Sequence, residues 1–281
     1  MKTTTKQTHL YSNTDLRKLL IPIIIEQLLS SLMGTVDTMM VSNVGSAAIS
    51  AVSLVDSINI LVIQALSALA AGGAILCSQY IGSEKRDGAI RSAQQVLFVM
   101  TVLSVALSAG CLIFRVPLLR VIFGAVEADV MKNSQVYFLF TLLSFPFIGL
   151  YDAGASILRA QNNSRSPMVI SVISNFMNIG GNAILIFGFH MGVEGAAIST
   201  LISRIFCAVV VLWKLRDESK PIFVKQYLSI RPDFGLIKNT VHRYPIGNRE
   251  QYVPVWKAGD SVHCVHTWHG CHCRAGDDEH P

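Results

Sequence analysis

Six long apolar stretches separated by short polar turns, at about 16–42, 48–81, 88–114, 130–159, 167–189 and 193–215, constrain this chain more than any other feature. An α-helix rises about 1.5 Å per residue, so about 20 apolar residues cross a hydrocarbon core about 30 Å thick. Each stretch meets that length, and the longer ones must tilt or project beyond the hydrocarbon. Lipid offers no partner for backbone N–H and C=O groups, which a helix pairs internally. Composition agrees: 51% of the 281 residues are hydrophobic and 15% charged, and mean hydropathy is +0.47. These values fall outside the range of soluble domains. The expected fold is all-α, a polytopic membrane protein with six transmembrane helices in a lipid bilayer.

The net charge of +5 does not point to nucleic acid, because Lys and Arg fall between the apolar stretches rather than along one stripe. Their distribution predicts topology instead. Fourteen lie on one side: Lys2, Lys6, Arg17, Lys18, Lys85, Arg86, Arg91, Arg159, Arg165, Lys214, Arg216, Lys220, Lys225 and Arg231. Only Arg115, Arg120 and Lys132 lie on the other. Basic residues of short loops stay in the cytoplasm, so both ends of the six-helix unit are expected inside. The polar N-terminus, 1–15, is followed by an apolar run too long for a signal-peptide core and without a small-residue cleavage site, so this run is expected to remain as the first span. Cys77, Cys111 and Cys207 lie in apolar runs as packing residues.

Ionisable side chains inside a span are costly and are functional candidates by default. Glu26 and Asp37 are eleven residues apart, three turns plus about 20°, so they share a face about 16 Å apart along the axis. That is too far to share an ion but suits one cavity or relay. Arg204 of the sixth span, or Gln27, is the expected neighbour of Glu26. Asn175, Asn178 and Asn182 are spaced i, i+3 and i+7 on the fifth span, a pattern that lines one helix face with amides. Asp56, Gln64 and Asp152 are further candidates for an acidic cavity wall that would attract lipophilic cations. Ala65, Ser67, Ala68, Ala70, Ala71, Gly72, Gly73 and Ala74 permit close helix packing in the second span. Pro22 removes a backbone hydrogen bond from the first. No G-x-x-x-x-G-K-[ST] loop, nucleophile motif or regular metal signature is present, which argues against a primary pump or an enzyme.

The run Pro22-Ile-Ile-Ile-Glu26-Gln27, then Gly34-Thr-Val-Asp37-Thr-Met-Met-Val-Ser42 and Gly45-Ser-Ala-Ala-Ile-Ser50, resembles the first helix and following turn of the multidrug and toxic compound extrusion family. Leu158-Arg159-Ala160-Gln161 through Pro167-Met168, Asn178 to Gly188, and Gly192-Val-Glu-Gly195 through Thr200 resemble later family segments in order, so the likeness covers about 16–239. It implies one lobe of a twelve-helix antiporter, whose two six-helix lobes rock about a central cavity, with the second lobe missing from this chain. It implies export of small organic, cationic compounds across the cell membrane, coupled to Na⁺ or H⁺ and using no cofactor. By the same likeness Asp37 is the coupling site, Asn178 and Thr200 lie near it, and Pro22 is a bending point. Many relatives carry a second aspartate where this chain has Asn182, a departure that removes one titrating group. A lipid-linked saccharide flippase of the same superfamily is the rival transporter.

From Thr240 the composition changes. Six of the eight histidines and three of the six cysteines lie in 240–281. Cys264, His266, His269, Cys271, His272 and Cys273 are soft or borderline ligands, which admits a non-transporting membrane protein with a metal-binding tail, although their spacing fits no regular site. The genetic code offers another account. Codons for Tyr252-Val-Pro-Val-Trp-Lys257, read one base later, permit Met-Phe-Gln-Phe-Gly-Lys, similar to the family's seventh helix. The same shift at Trp268 to Cys273 permits Gly-Thr-Ala-Ala-Ile-Ala, an echo of the motif at Gly45 to Ser50. The tail is therefore expected to be an out-of-frame translation without regular structure. Sequencing the gene through codons 235 to 245 is expected to reveal a gained or lost base; an intact frame there contradicts the account.

Overall fold

The computed structural model describes residues 13–124, 126–224, 262–267 and 270–275. Its helices are α1 (Asn13–Ser42), α2 (Ser46–Gly82), α3 (Arg86–Ile113), α4 (Arg115–Phe123), α5 (Ala128–Ala160), α6 (Arg165–Asn182), which continues as a π-helical turn (Ala183–Gly188), and α7 (Val193–Lys214). Six of these elements, all but the short α4, are long and apolar enough to span a membrane. The six spans stand within a few residues of the apolar stretches. Two features depart from expectation: α4 fills what read as an outer loop, and the fifth span ends in a π turn rather than a continuous α-helix.

α5 is the central post, packing against α2, α3 and α7, while α1 rests mainly on α6. One apolar cluster includes Leu66, Cys77, Leu97, Ile157 and Val211; a second includes Val41, Val52, Phe138, Leu142, Phe145 and Ile186. Leu61, Val102, Phe176, Val209 and Trp213 are exposed, as expected where lipid is the solvent.

Close backbone approach is only partly where the sequence suggested it. In α2, Ala70 and Gly73 are buried, with Gly73 against Val96 of α3, but Ala65, Ser67, Ala68 and Ala71 are exposed. The tighter requirement sits on α5: a Cβ at Gly149 would meet Ser104 Cβ of α3 at 2.7 Å, and one at Gly154 would meet Val211 of α7 at 2.9 Å. Missing side chains at these two positions let the neighbours of α5 come close in the absence of a hydrophobic drive.

α1 runs unbroken through Pro22, and α5 through Pro146. Pro146 has no N–H for the carbonyl of Leu142, four residues earlier. Ser108 of α3 supplies the replacement, its hydroxyl donating to Leu142 O at 2.6 Å. A freed carbonyl in lipid needs such a donor, so this serine holds α3 to α5 at the point where α5 lacks a bond.

Beyond α7 the chain turns back. Val224 N–H donates to Leu215 O at 2.8 Å, Ile222 N–H to Gln161 Oε1 at 3.3 Å, and Arg86 caps the carbonyls of Glu218, Lys220 and Pro221 at 3.1 to 3.3 Å. The Ser219 hydroxyl and amide both donate to Asp217 and hold its carboxyl below the usual carboxylate range. A separate unit spans Val241–Pro281. In it β1 (Val262–Thr267) and β2 (Gly270–Ala275) pair antiparallel, with Cys264 opposite Cys273. The expectation of a tail without regular structure is corrected at these strands: backbone N–H and C=O groups pair across a hairpin whatever the polarity of the side chains. The tail's side chains, and with them the metal-ligand reading, lie outside the described residues.

Ser108→Ala is expected to cost about 1 kcal/mol in unfolding of the detergent-solubilised chain. In a Pro146→Ala background, where residue 146 regains its N–H, the same change is expected to cost clearly less; equal losses in both backgrounds contradict the pairing.

Candidate acid and amide site between the helices

Asp37 lies on α1, Asn178 and Asn182 on α6 and Thr200 on α7, and the packing of α1 and α7 on α6 brings all four together. Asn182 Nδ2 donates to Asp37 Oδ1 at 2.6 Å. Asn178 is fully buried, with one end of its amide 2.9 Å from the same Asp37 oxygen and the other 3.1 Å from Thr200 Oγ1. An amide serves either charge state of such a carboxyl: its nitrogen donates to a carboxylate, and its oxygen accepts from a protonated acid. With its nitrogen turned to Asp37, Asn178 meets the ionised form. Asn182 Oδ1 is buried with no hydrogen-bond partner among the described residues. It is an unused oxygen beside the carboxylate, on the last α-helical residue before the π turn. Such turns reorient local side chains and recur at functional sites.

A second polar cluster surrounds Glu26. Arg159 Nη2 of α5 donates to its Oε1 at 2.8 Å and lies 2.9 Å from its Oε2. The Tyr151 hydroxyl donates to Oε1 at 2.9 Å and lies 3.3 Å from Pro167 O. This corrects the expected partners, Arg204 and Gln27. Gln27 is exposed, and Arg159, which sequence patterning treats as a loop charge, is the last-turn base of a long α5 that reaches back to α1. Glu26 is only 5% exposed, so it needs these donors.

The remaining acids stand apart. Asp56 of α2 accepts from Asn59 Nδ2 at 3.1 Å and from the Tyr137 hydroxyl at 3.2 Å. Asp152 of α5 is half-buried, and its Oδ2 has no hydrogen-bond partner among the described residues. Gln64 is exposed on α2, and Asn175 does not join Asn178 and Asn182; its Nδ2 is buried without a partner among the described residues. The i, i+3, i+7 pattern therefore holds for two of the three amides, Asn175 lying 60° round the helix from Asn178. Arg204 was the residue that sequence reasoning undervalued. It lies one turn beyond Thr200 on α7, donates through Nη1 to Ser144 Oγ at 2.5 Å, and has Asp37, Asp56, Asp152 and Tyr137 within electrostatic reach. The rule that flagged the buried acids applies equally to this base.

A bundle of six spans carrying partnered acids and amides between its helices defines a polytopic membrane protein. The MatE family model matches residues 22–184. The uncharacterized transporter YisQ of Bacillus subtilis (strain 168) is 31% identical over 206 residues, covering 71% of this chain and 45% of the relative. The probable multidrug resistance protein NorM of Thermotoga maritima is 27% identical over 213 residues, covering 73% and 45%. Among solved structures, a MATE in the bent conformation aligns at a TM-score of 0.73 and 24% identity over 81% of this chain and 50% of that one, a likeness of fold. The chain belongs to the MatE family, and it spans about half the length of the curated relatives it matches. What it folds into is one six-helix lobe of that architecture.

Removing one partner of a buried ion pair leaves the other uncompensated. Arg159 is 30% exposed, so solvent screens part of the pair and Arg159→Gln is expected to cost about 2 kcal/mol, below the range for full burial. Adding Glu26→Gln to that variant should restore part of the loss in a thermal-unfolding cycle; strictly additive losses would show that the pair does not couple.

Proposed function

We propose that this chain is the first lobe of a cation-coupled exporter of small organic, cationic compounds, with Asp37 as the coupling site for Na⁺ or H⁺ and Asn178, Asn182 and Thr200 as its neighbours. The observation that carries the reading is the contact of one carboxylate, on the helix packed against α6, with two amides of that helix. Membership of a family whose relatives include multidrug resistance proteins supports the transport class.

The chemistry follows from the groups present. A cation arriving at Asp37 finds a carboxylate, the spare oxygen of Asn182 and the hydroxyl oxygen of Thr200, all oxygen donors suited to a hard cation. A proton arriving there finds amides able to reverse from donor to acceptor. Either ion removes net charge at the junction of α1 and α6 and changes the relative stability of bundle arrangements. An organic cation drawn to the same acids is released when that balance shifts. Only a difference in ion affinity between inward-open and outward-open states drives such exchange. Pro22 gives α1 a position at which it can bend during the change, since no N–H from that residue ties it to the preceding turn. The bilayer is the solvent, the cell membrane is the proposed location with the N-terminus cytoplasmic, and the partner lobe is proposed to be encoded downstream in the shifted frame.

In a drug-sensitive host carrying the frame-restored gene, Asp37→Asn is expected to lower ion-dependent dye efflux at least about tenfold, a barrier change of about 1.4 kcal/mol. Efflux with unchanged rate and ion dependence would rule out Asp37 as the coupling site.

A further inference from the structure

Three interior acids outside the Glu26 pair, Asp37, Asp56 and Asp152, share one interior base, Arg204. Among the described residues no carboxylate lies within ion-pair distance of that guanidinium, and its hydrogen bond is to a neutral hydroxyl, Ser144 Oγ. An arginine among acids in a membrane bundle ordinarily pairs with one of them, because an unpaired charge in a low-dielectric interior is costly. Here it is tethered to a serine on α5 instead. The charged and titratable groups within electrostatic reach of it are Asp37 from α1, Asp56 from α2, Tyr137 and Asp152 from α5, and Cys207 from its own helix; one turn before it on α7, Thr200 hydrogen-bonds Asn178, the α6 amide that touches Asp37.

We infer that Arg204 is a tethered counter-cation that competes with the coupling ion for Asp37. This rests on the assignment of Asp37 as the ion site. When the ion leaves, one negative charge is exposed at Asp37, and one positive charge is already within reach to balance it. When the ion returns, Arg204 is held by Ser144 and balanced by Asp56 and Asp152. Asn182 keeps the demand on that single base down: a carboxylate at that position would add a further charge directly beside Asp37. Arg204 thereby stabilises the ion-free lobe and weakens ion binding, so that the ion is released rather than trapped. It is a positioning residue for charge and need not touch the ion.

The test uses the full chain in nanodiscs, with sodium ions and protons as probes and thermal unfolding as the readout. Wild type is expected to show stabilisation by one probe that Asp37→Asn abolishes. Arg204→Gln is expected to lower the half-saturating concentration of that probe about tenfold, the order given by one unit charge at intermediate range, whereas Arg204→Lys stays within about threefold of wild type. Ser144→Ala, which releases the tether, is expected to move half-saturation the opposite way, and it keeps the test decisive if Arg204→Gln does not fold. A structural role would lower the unfolding temperature in these variants without moving half-saturation. Unchanged half-saturation in Arg204→Gln, or in Ser144→Ala where the first variant does not fold, overturns the counter-cation role while leaving the ion site intact. A wild type with no stabilisation that depends on Asp37 overturns both.

Discussion

A carboxylate inside a membrane bundle must be partnered or neutralised, and that constraint explains most of the interior of this protein. Six helices of ordinary apolar composition would satisfy the bilayer without any buried acid. This chain carries several, Glu26 buried and Asp37 and Asp56 half-buried, and answers each differently: Glu26 with one arginine nitrogen across both its oxygens and a tyrosine, Asp56 with an amide and a tyrosine, and Asp37 with two amides. The first answer is strong and fixed by charge. The last is neutral and reversible, since amides accept as readily as they donate. Binding of a small cation is compatible with the second kind of environment and not with the first.

α5 makes this possible. Tyr137, Ser144, Tyr151, Asp152 and Arg159 recur along one helix near a period of seven and eight, so one stripe of α5 faces the acids from end to end. Gly149 and Gly154 bring α3 and α7 against it. Proline would normally interrupt such a post, and Ser108 repairs the resulting gap from a neighbouring helix. α1, in contrast, is largely exposed and rests mainly on α6, with polar contacts through Glu26 near its middle and Asp37 near its C-terminal end. A helix so lightly packed is the one whose attachment an ion at Asp37 would change.

The spans, their number and their approximate limits were legible from apolar length alone, because lipid imposes that length on any helix that crosses it. Asp37, Asn178 and Asn182 were legible as a group through family likeness and helical spacing. Partners were less so. The eleven-residue spacing correctly places Glu26 and Asp37 on a similar side of α1, yet one meets α5 and the other α6, a choice made by tertiary packing. Arg159 was read as a topology charge because it stands at a segment boundary, although a long side chain at a helix end can reach back into the bundle. The π turn after Asn182 leaves no residue signature in Ala183 to Gly188, all of which suit an ordinary α-helix apart from the glycine. Gln64 failed for lack of context: an amide in an apolar run looks interior until the helix is seen to turn it outward.

The contact between Asp37 and the fifth span is the point on which the ion chemistry stands. Its most direct measurement is oxidative cross-linking of a chain carrying Asp37→Cys and Asn182→Cys, with Cys77, Cys111 and Cys207 replaced, followed by mass spectrometry of the linked peptides. The account predicts rapid, near-complete formation of that disulfide in the membrane, and none when Asn182→Cys is exchanged for Phe176→Cys on the exposed side of the same helix. Modification of residue 37 by a lipid-soluble thiol reagent without any cross-link to 182 would contradict it.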